Sequence, residues 1–183
     1  MQQRFEQIFV DATDTLLRVR GSVGALYAPV ARRHGLEIEP AAVNAAFRPA
    51  LRAAPPPCFP GADPARFDAL EREWWRNLVR DVFATLGACT GPQPCTRFDA
   101  FFAEVFALFR TTKAWELLPG ADAALLELHG EGRRLGILSE MDGRLLDVLA
   151  AFGLGGMFDP IVLSMRAGCS KRDGTLYPYA LQR

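Results

Sequence analysis

Metal-site spacing is missing from this sequence. Its four cysteines, Cys58, Cys89, Cys95 and Cys169, form no Cys-x-x-Cys pair, and only His34 and His129 are available beside them. That argues against a zinc site, and the cysteines read as reduced thiols of a reducing compartment. Net charge is missing too. The 21 basic residues balance the 21 acidic ones, so the electrostatic footprint of a nucleic-acid partner is absent. No apolar run is long enough to span a membrane. The opening MQQRFEQIFV places charge within its apolar stretch and has no small-residue cleavage site, unlike a signal peptide. Internal repeats and low-complexity tails are likewise lacking. The expectation is a cytoplasmic protein with a small-molecule partner, no nucleic acid and no membrane.

What is present is an ordinary globular composition, 183 residues of which 50% are hydrophobic, enough for one core and a smaller accessory unit. Three short β-branched and aromatic runs read as strands: residues 7–10 (QIFV), 133–140 (RRLGILSE) and 158–164 (FDPIVLS). Helical patterns fill most of the rest. Residues 22–35 open on a capping Ser22 and close at Gly35, residues 39–51 carry a first-turn proline, and residues 63–87 and 97–110 repeat apolar residues at helical spacing. Further helices are expected over 121–132 and 142–156, and a last one opening near Lys171. Strands alternating with helices imply right-handed crossovers and a parallel α/β sheet. Residues 22–112 read as an all-helical insertion after the first strand.

Ligands of such sheets gather at the carboxyl ends of the strands. Asp11 and Ser139 stand at two of those ends, and Lys171 follows the third strand after a short loop. A carboxylate, a hydroxyl and an ammonium there make a set suited to phosphate. The carboxylate can act as nucleophile, the lysine can offset charge on the transferring group, and exposed N–H groups after Asp11 can form an anion nest.

These residues resemble the haloacid dehalogenase superfamily, in its helical-cap (subfamily I) branch. The first motif, commonly hhhhDxDGT, matches IFVDATDTL with Asp11 in the nucleophile slot and Thr15 in the threonine slot. The second, an apolar strand ending in Ser or Thr, matches LGILSEMD with Ser139. The third, commonly GxxKPDPxIF, matches GCSKRDGTLY with Lys171 and Asp173 in the lysine and aspartate slots. The resemblance implies a Rossmann-like core over residues 1–21 and 113–183 and an α-helical cap over 22–112. It implies a magnesium-dependent phosphatase acting on a small phosphorylated metabolite through an aspartyl-phosphate on Asp11. Lys171 would stabilise charge, Thr15, Ser139 and Glu140 would bind substrate, and Asp11 with the Thr13 carbonyl would hold Mg²⁺.

The chain also departs from the family pattern. Thr13 occupies the slot of a general acid, and Asp14 that of a glycine. Glu140 stands where Asn is usual, and Arg172 and Gly174 replace two prolines. An acidic fourth motif is not found before Arg183, so the core is expected to lack its C-terminal strands, the magnesium ligand set to be incomplete, and QIFV to form an open edge suited to homodimerisation. Two alternatives follow. One is a 2-haloacid dehalogenase, with Arg18 and Arg20 as carboxylate binders or simply as solvated turn residues. The other is a truncated or degenerate non-catalytic binding or assembly module. The aromatics of the insertion (Trp74, Trp75, Phe98, Phe101, Phe102, Phe106, Phe109) read as core at helical spacing, with one of the adjacent tryptophans near a cleft or exposed.

Overall fold

The apolar runs do pair. In the computed structural model, which describes residues 5–88 and 96–183, β1 (Gln7–Val10), β4 (Arg134–Ser139) and β5 (Phe158–Leu163) form a parallel sheet in the order β1-β4-β5. Cys89 and Cys95 lie outside the described residues. Val10 lies opposite Ile137, and Ser139 opposite Leu163, so the carboxyl ends of all three strands reach one rim.

Alternation along the strands builds two cores. Ile8, Val10, Leu135 and Ile137 pack on one face against Leu125 of α5 (Ala121–Gly130) and Leu145, Val148 and Leu149 of α6 (Arg144–Ala151). Phe9, Leu138 and Val162 pack on the other against α8 (Leu176–Ala180). Phe9 is registered opposite Gly136, where a Cβ would come within 2.7 Å of its ring. Pro160 is tolerated because β5 is an edge strand.

A second, antiparallel ladder joins β2 (Leu17–Val19) to β3 (Trp115–Leu117). Three residues per strand are too few to carry a period-two signal, so neither strand is expected from the sequence. Between them run α1 (Val23–Arg33), α2 (Pro40–Ala53), α3 (Phe67–Thr85) and α4 (Thr96–Leu108). These helices share a cluster that includes Tyr27, Val43, Val79, Phe83, Phe98, Phe101 and Phe102. α1 starts as anticipated, Ser22 Oγ accepting from the Ala25 N–H at 3.1 Å.

Helix α1 meets α2 at Gly24, where a Cβ would lie 2.0 Å from the Pro40 carbonyl oxygen. Gly24→Ala should therefore force the two helices apart. A loss of about 1–3 kcal/mol is expected from such overpacking, readable as a fall in the urea midpoint.

Three local expectations are corrected. Residues 63–87 are not one helix: Asp63 Oδ1 accepts from the Ala65 N–H, and a 3₁₀ turn (Pro64–Arg66) precedes α3. The last helix does not open at Lys171. Asp173 Oδ1 accepts from the Thr175 N–H at 2.9 Å and its hydroxyl at 2.6 Å, which favours a turn until Leu176. A one-turn helix, α7 (Ser164–Ala167), follows β5 directly.

Contacts from the sheet rim hold the α2–α3 region above it. Ser164 Oγ donates to the Pro57 carbonyl at 2.8 Å, and Arg166 Nε meets Glu71 Oε1 at 2.8 Å. Arg172 donates to the Leu51 and Ala54 carbonyls at the end of α2, at 3.1 and 3.2 Å. Among the described residues no helix is long and apolar enough to cross a membrane.

Candidate active site

Asp11 is the first residue beyond β1. Its Oδ1 accepts from the Ala12 N–H at 2.9 Å and faces Lys171 Nζ at 2.8 Å. The turn that follows is tight: Leu16 and Leu17 N–H both donate to the Ala12 carbonyl, and Asp14 N–H donates to Leu17 O at 2.7 Å. Asp14 has φ +60°, the left-handed region that glycine usually fills and that Asp tolerates better than most residues.

Ser139 ends β4 and is buried, its Oγ accepting from the Met141 N–H at 3.2 Å. That bond leaves the hydroxyl proton unused. Glu140 turns one of its carboxylate oxygens toward the Lys171 loop. Its Oε1 accepts from Ser170 Oγ at 2.8 Å and from the Lys171 N–H at 3.0 Å, and Ser170 Oγ in turn accepts from the Arg172 N–H. A carboxylate thus fixes the backbone that carries the ammonium.

Asp11, Thr13, Ser139, Glu140 and Lys171 come together on the wall of one cavity of about 360 Å³. Thr15 is exposed and does not line it. Asp14 does line it, although its place one residue beyond the acid slot suggests otherwise. Both Trp74 and Trp75 line it as well, not just one of them. They meet edge to face at 5.0 Å, their indoles wide enough to share one side of α3.

Arg18 and Arg20 do not face the cavity. Alternation along β2 turns Val19 inward and both guanidiniums outward, Arg18 onto Glu116 at 2.7 Å and Arg20 onto Glu116 at 3.4 Å and the Trp115 carbonyl at 3.0 Å. Arg144 does line it, a residue no motif signals. It is spent on Asp142, with Nε to Oδ1 at 2.8 Å and Nη2 to Oδ2 at 2.6 Å, and it stacks 4.1 Å from the Phe106 ring centroid. Burial pushes the Asp142 carboxyl up, but the Arg144 bonds outweigh burial and hold it below the ordinary value. Tyr27, also on the cavity wall, has its phenol pushed well above the usual range by burial.

No group of three or more His, Cys, Asp or Glu side chains among the described residues could hold a metal. Asp11 and the Thr13 carbonyl offer two oxygens where Mg²⁺ wants about six, several of them from water. The donor set present does not fit a tightly held magnesium. The described thiols, Cys58 and Cys169, are free, and burial followed by nearby Asp173 pushes Cys58 up.

The profile of the haloacid dehalogenase-like hydrolases matches residues 5–183, and the chain belongs to that family. It is 34% identical over 172 residues to human haloacid dehalogenase-like hydrolase domain-containing protein 3, a match covering 94% of this chain and 66% of that protein's length. Its fold is similar to L-2-haloacid dehalogenase from Xanthobacter autotrophicus, with a TM-score of 0.61, 19% identity, and coverage of 98% of this chain and 64% of that one. A predicted phosphoglycolate phosphatase from Haemophilus somnus 129PT shares it with a TM-score of 0.55, 14% identity, and coverage of 90% and 64%.

Proposed function

We propose that this chain hydrolyses a small phosphorylated metabolite through a covalent intermediate on Asp11. The observation that carries the reading is the 2.8 Å Asp11–Lys171 contact at the floor of the cavity. The second carboxylate oxygen of Asp11 attacks phosphorus, the ester P–O bond breaks, and the leaving oxygen takes the electron pair. Water then attacks the phosphorus of the aspartyl-phosphate, releasing phosphate and restoring the carboxylate. Lys171 offsets charge on nucleophile and phosphoryl group, and the Ser139 proton meets a phosphoryl oxygen. Thr15 would join only indirectly, through the turn. Magnesium is the family's expected ion. Asp11 and the Thr13 carbonyl are the two oxygens this chain offers to it. In this reading residues 22–112 act as the cap of a core built from 1–21 and 113–183.

Thr13 supports a second reading. Halide leaves without a proton, so a 2-haloacid dehalogenase needs no acid in that slot. The outward turn of Arg18 and Arg20 weighs against it, since the substrate carboxylate then lacks those partners. Single turnover in ¹⁸O-water separates the two. A phosphate monoester should yield labelled phosphate and unlabelled Asp11. A 2-haloacid, hydrolysed at the ester carbonyl carbon, should leave label in Asp11. Release of neither phosphate nor halide overturns both readings in favour of a non-catalytic module.

Glu140 should act as a positioning residue. Glu140→Ala removes the acceptor of both loop bonds and is expected to lower kcat by roughly 10- to 100-fold through misplacement of Lys171. Glu140→Gln keeps an acceptor oxygen and should restore most of the rate. Equal loss in both variants would point to charge as its contribution.

A further inference from the structure

The proposed phosphatase leaves its substrate open, and two independent features of the cavity narrow it. The first is the wall. Phe47, Tyr27, Phe109 and Trp115 form a continuous edge-to-face series, with centroids 6.4, 5.9 and 5.8 Å apart, and Trp74 and Trp75 add two more rings. Ring edges and faces of this kind favour a flat aromatic guest. About 360 Å³ is near the small end of the roughly 300–1,000 Å³ typical of ligand sites. The two guanidiniums on the wall are engaged, Arg144 by Asp142 and Arg172 by the α2 carbonyls. Lys171 is the cation beside the nucleophile, which suits a single phosphoryl group there.

The second feature is the leaving-group side. Thr13 cannot donate a proton as an acid would, a loss of about 10²–10⁴ in rate for a substrate that needs one. Glu140 spends its Oε1 on Ser170 and Lys171, and Asp11 is the nucleophile. The Tyr27 phenol is weakened as an acid by burial. Asp14 lines the cavity but is exposed on the turn, one residue beyond the acid slot, and Asp14→Asn is the variant that separates it from the leaving group. A phenol ionises near pH 10, as tyrosine does at about 10, several units below an alkyl alcohol, so it can depart without a proton from the protein.

We propose that the substrate is an aryl phosphate: a single phosphoryl group on a small aromatic hydroxyl, its ring held between the aromatic walls and its oxygen leaving as a phenolate. Asp11 forms the new O–P bond, the aryl O–P bond breaks, and the phenolate keeps the electron pair and takes its proton from water. This rests on the phosphatase reading.

Two measurements test it. On Asp11→Asn, calorimetric titration compares phenylphosphonate, methylphosphonate and inorganic phosphate, none of which turns over. Phenylphosphonate should bind at least tenfold tighter than methylphosphonate. That preference should shrink in Trp74→Ala, at a half-buried position, and in the milder Phe47→Leu. Equal affinities overturn the aryl inference and leave the phosphatase reading standing, whereas no binding of any of the three overturns both. In the wild type, kcat/KM across substituted phenyl phosphates should fall steeply with rising leaving-group pKa, with the same slope in Asp14→Asn. Glycerol phosphate should turn over at least 100-fold more slowly than phenyl phosphate. A shallow slope that steepens in Asp14→Asn makes Asp14 the acid and overturns the inference, as does equal turnover of the two esters.

Discussion

Asp11→Asn is expected to lower turnover by on the order of 10⁶-fold, the scale seen when the nucleophile of a covalent hydrolase is removed. The amide is nearly isosteric, so the cavity keeps its shape. It is a poor nucleophile and cannot form the aspartyl-phosphate. Stability should hardly move. Asp11 and Lys171 side chains are 42% and 21% exposed, and a pair that open to water contributes no more than about 1 kcal/mol. Activity lost with an unchanged melting curve would place the effect in the chemistry. Equal rates for the two proteins would remove Asp11 from the reaction.

The second large effect belongs to folding. Asp142 is fully buried, and its partner Arg144 is 7% exposed at the side chain. Asp142→Ala leaves a guanidinium between the Phe106 and Trp75 rings with no counter-charge, and removing one partner of such a pair costs about 3–5 kcal/mol. In a chain of this size that is a fall in Tm on the order of 10 °C. The double variant Asp142→Ala/Arg144→Met should recover most of it, because the unpaired charge has gone. The pH dependence follows from the lowered carboxyl. The pair's contribution is complete above the unfolded value near 3.8 and drains away as the pH falls through the lower folded value. The wild type should therefore lose stability more steeply below pH 4 than Asp142→Ala. Parallel acid limbs in calorimetric scans would deny the pair that contribution.

Much of this organisation is legible in the sequence because it rests on short-range patterns. QIFV ends in Asp11, LGILS in Ser139, and the spacing of Lys171 beyond the third strand is short enough to return it to the same rim. The parts that escape depend on meetings between distant residues. β2 and β3 are three residues each and exist only because they find one another across the helical block. Arg144 and Asp142 are two residues apart, yet nothing local says that their ion pair will sit beneath Phe106 and beside the cavity that Asp11 lines. Phe47 and Trp115 carry no motif, and they become cavity wall only once α1, α2 and β3 converge on Tyr27 and Phe109. Glu140 shows the reverse case: its position is signalled, but the direction of its side chain depends on Ser170, thirty residues on.

Arg172 also gives the loop a mechanical side. Its guanidinium grips the last turn of α2, and one peptide bond away Lys171 holds the Asp11 carboxylate. Lifting α2 means either tearing two hydrogen bonds or dragging that peptide along. The roof and the ammonium are therefore tethered by a strap a single residue long. Access to the cavity and the charge balance at its floor sit at opposite ends of that strap.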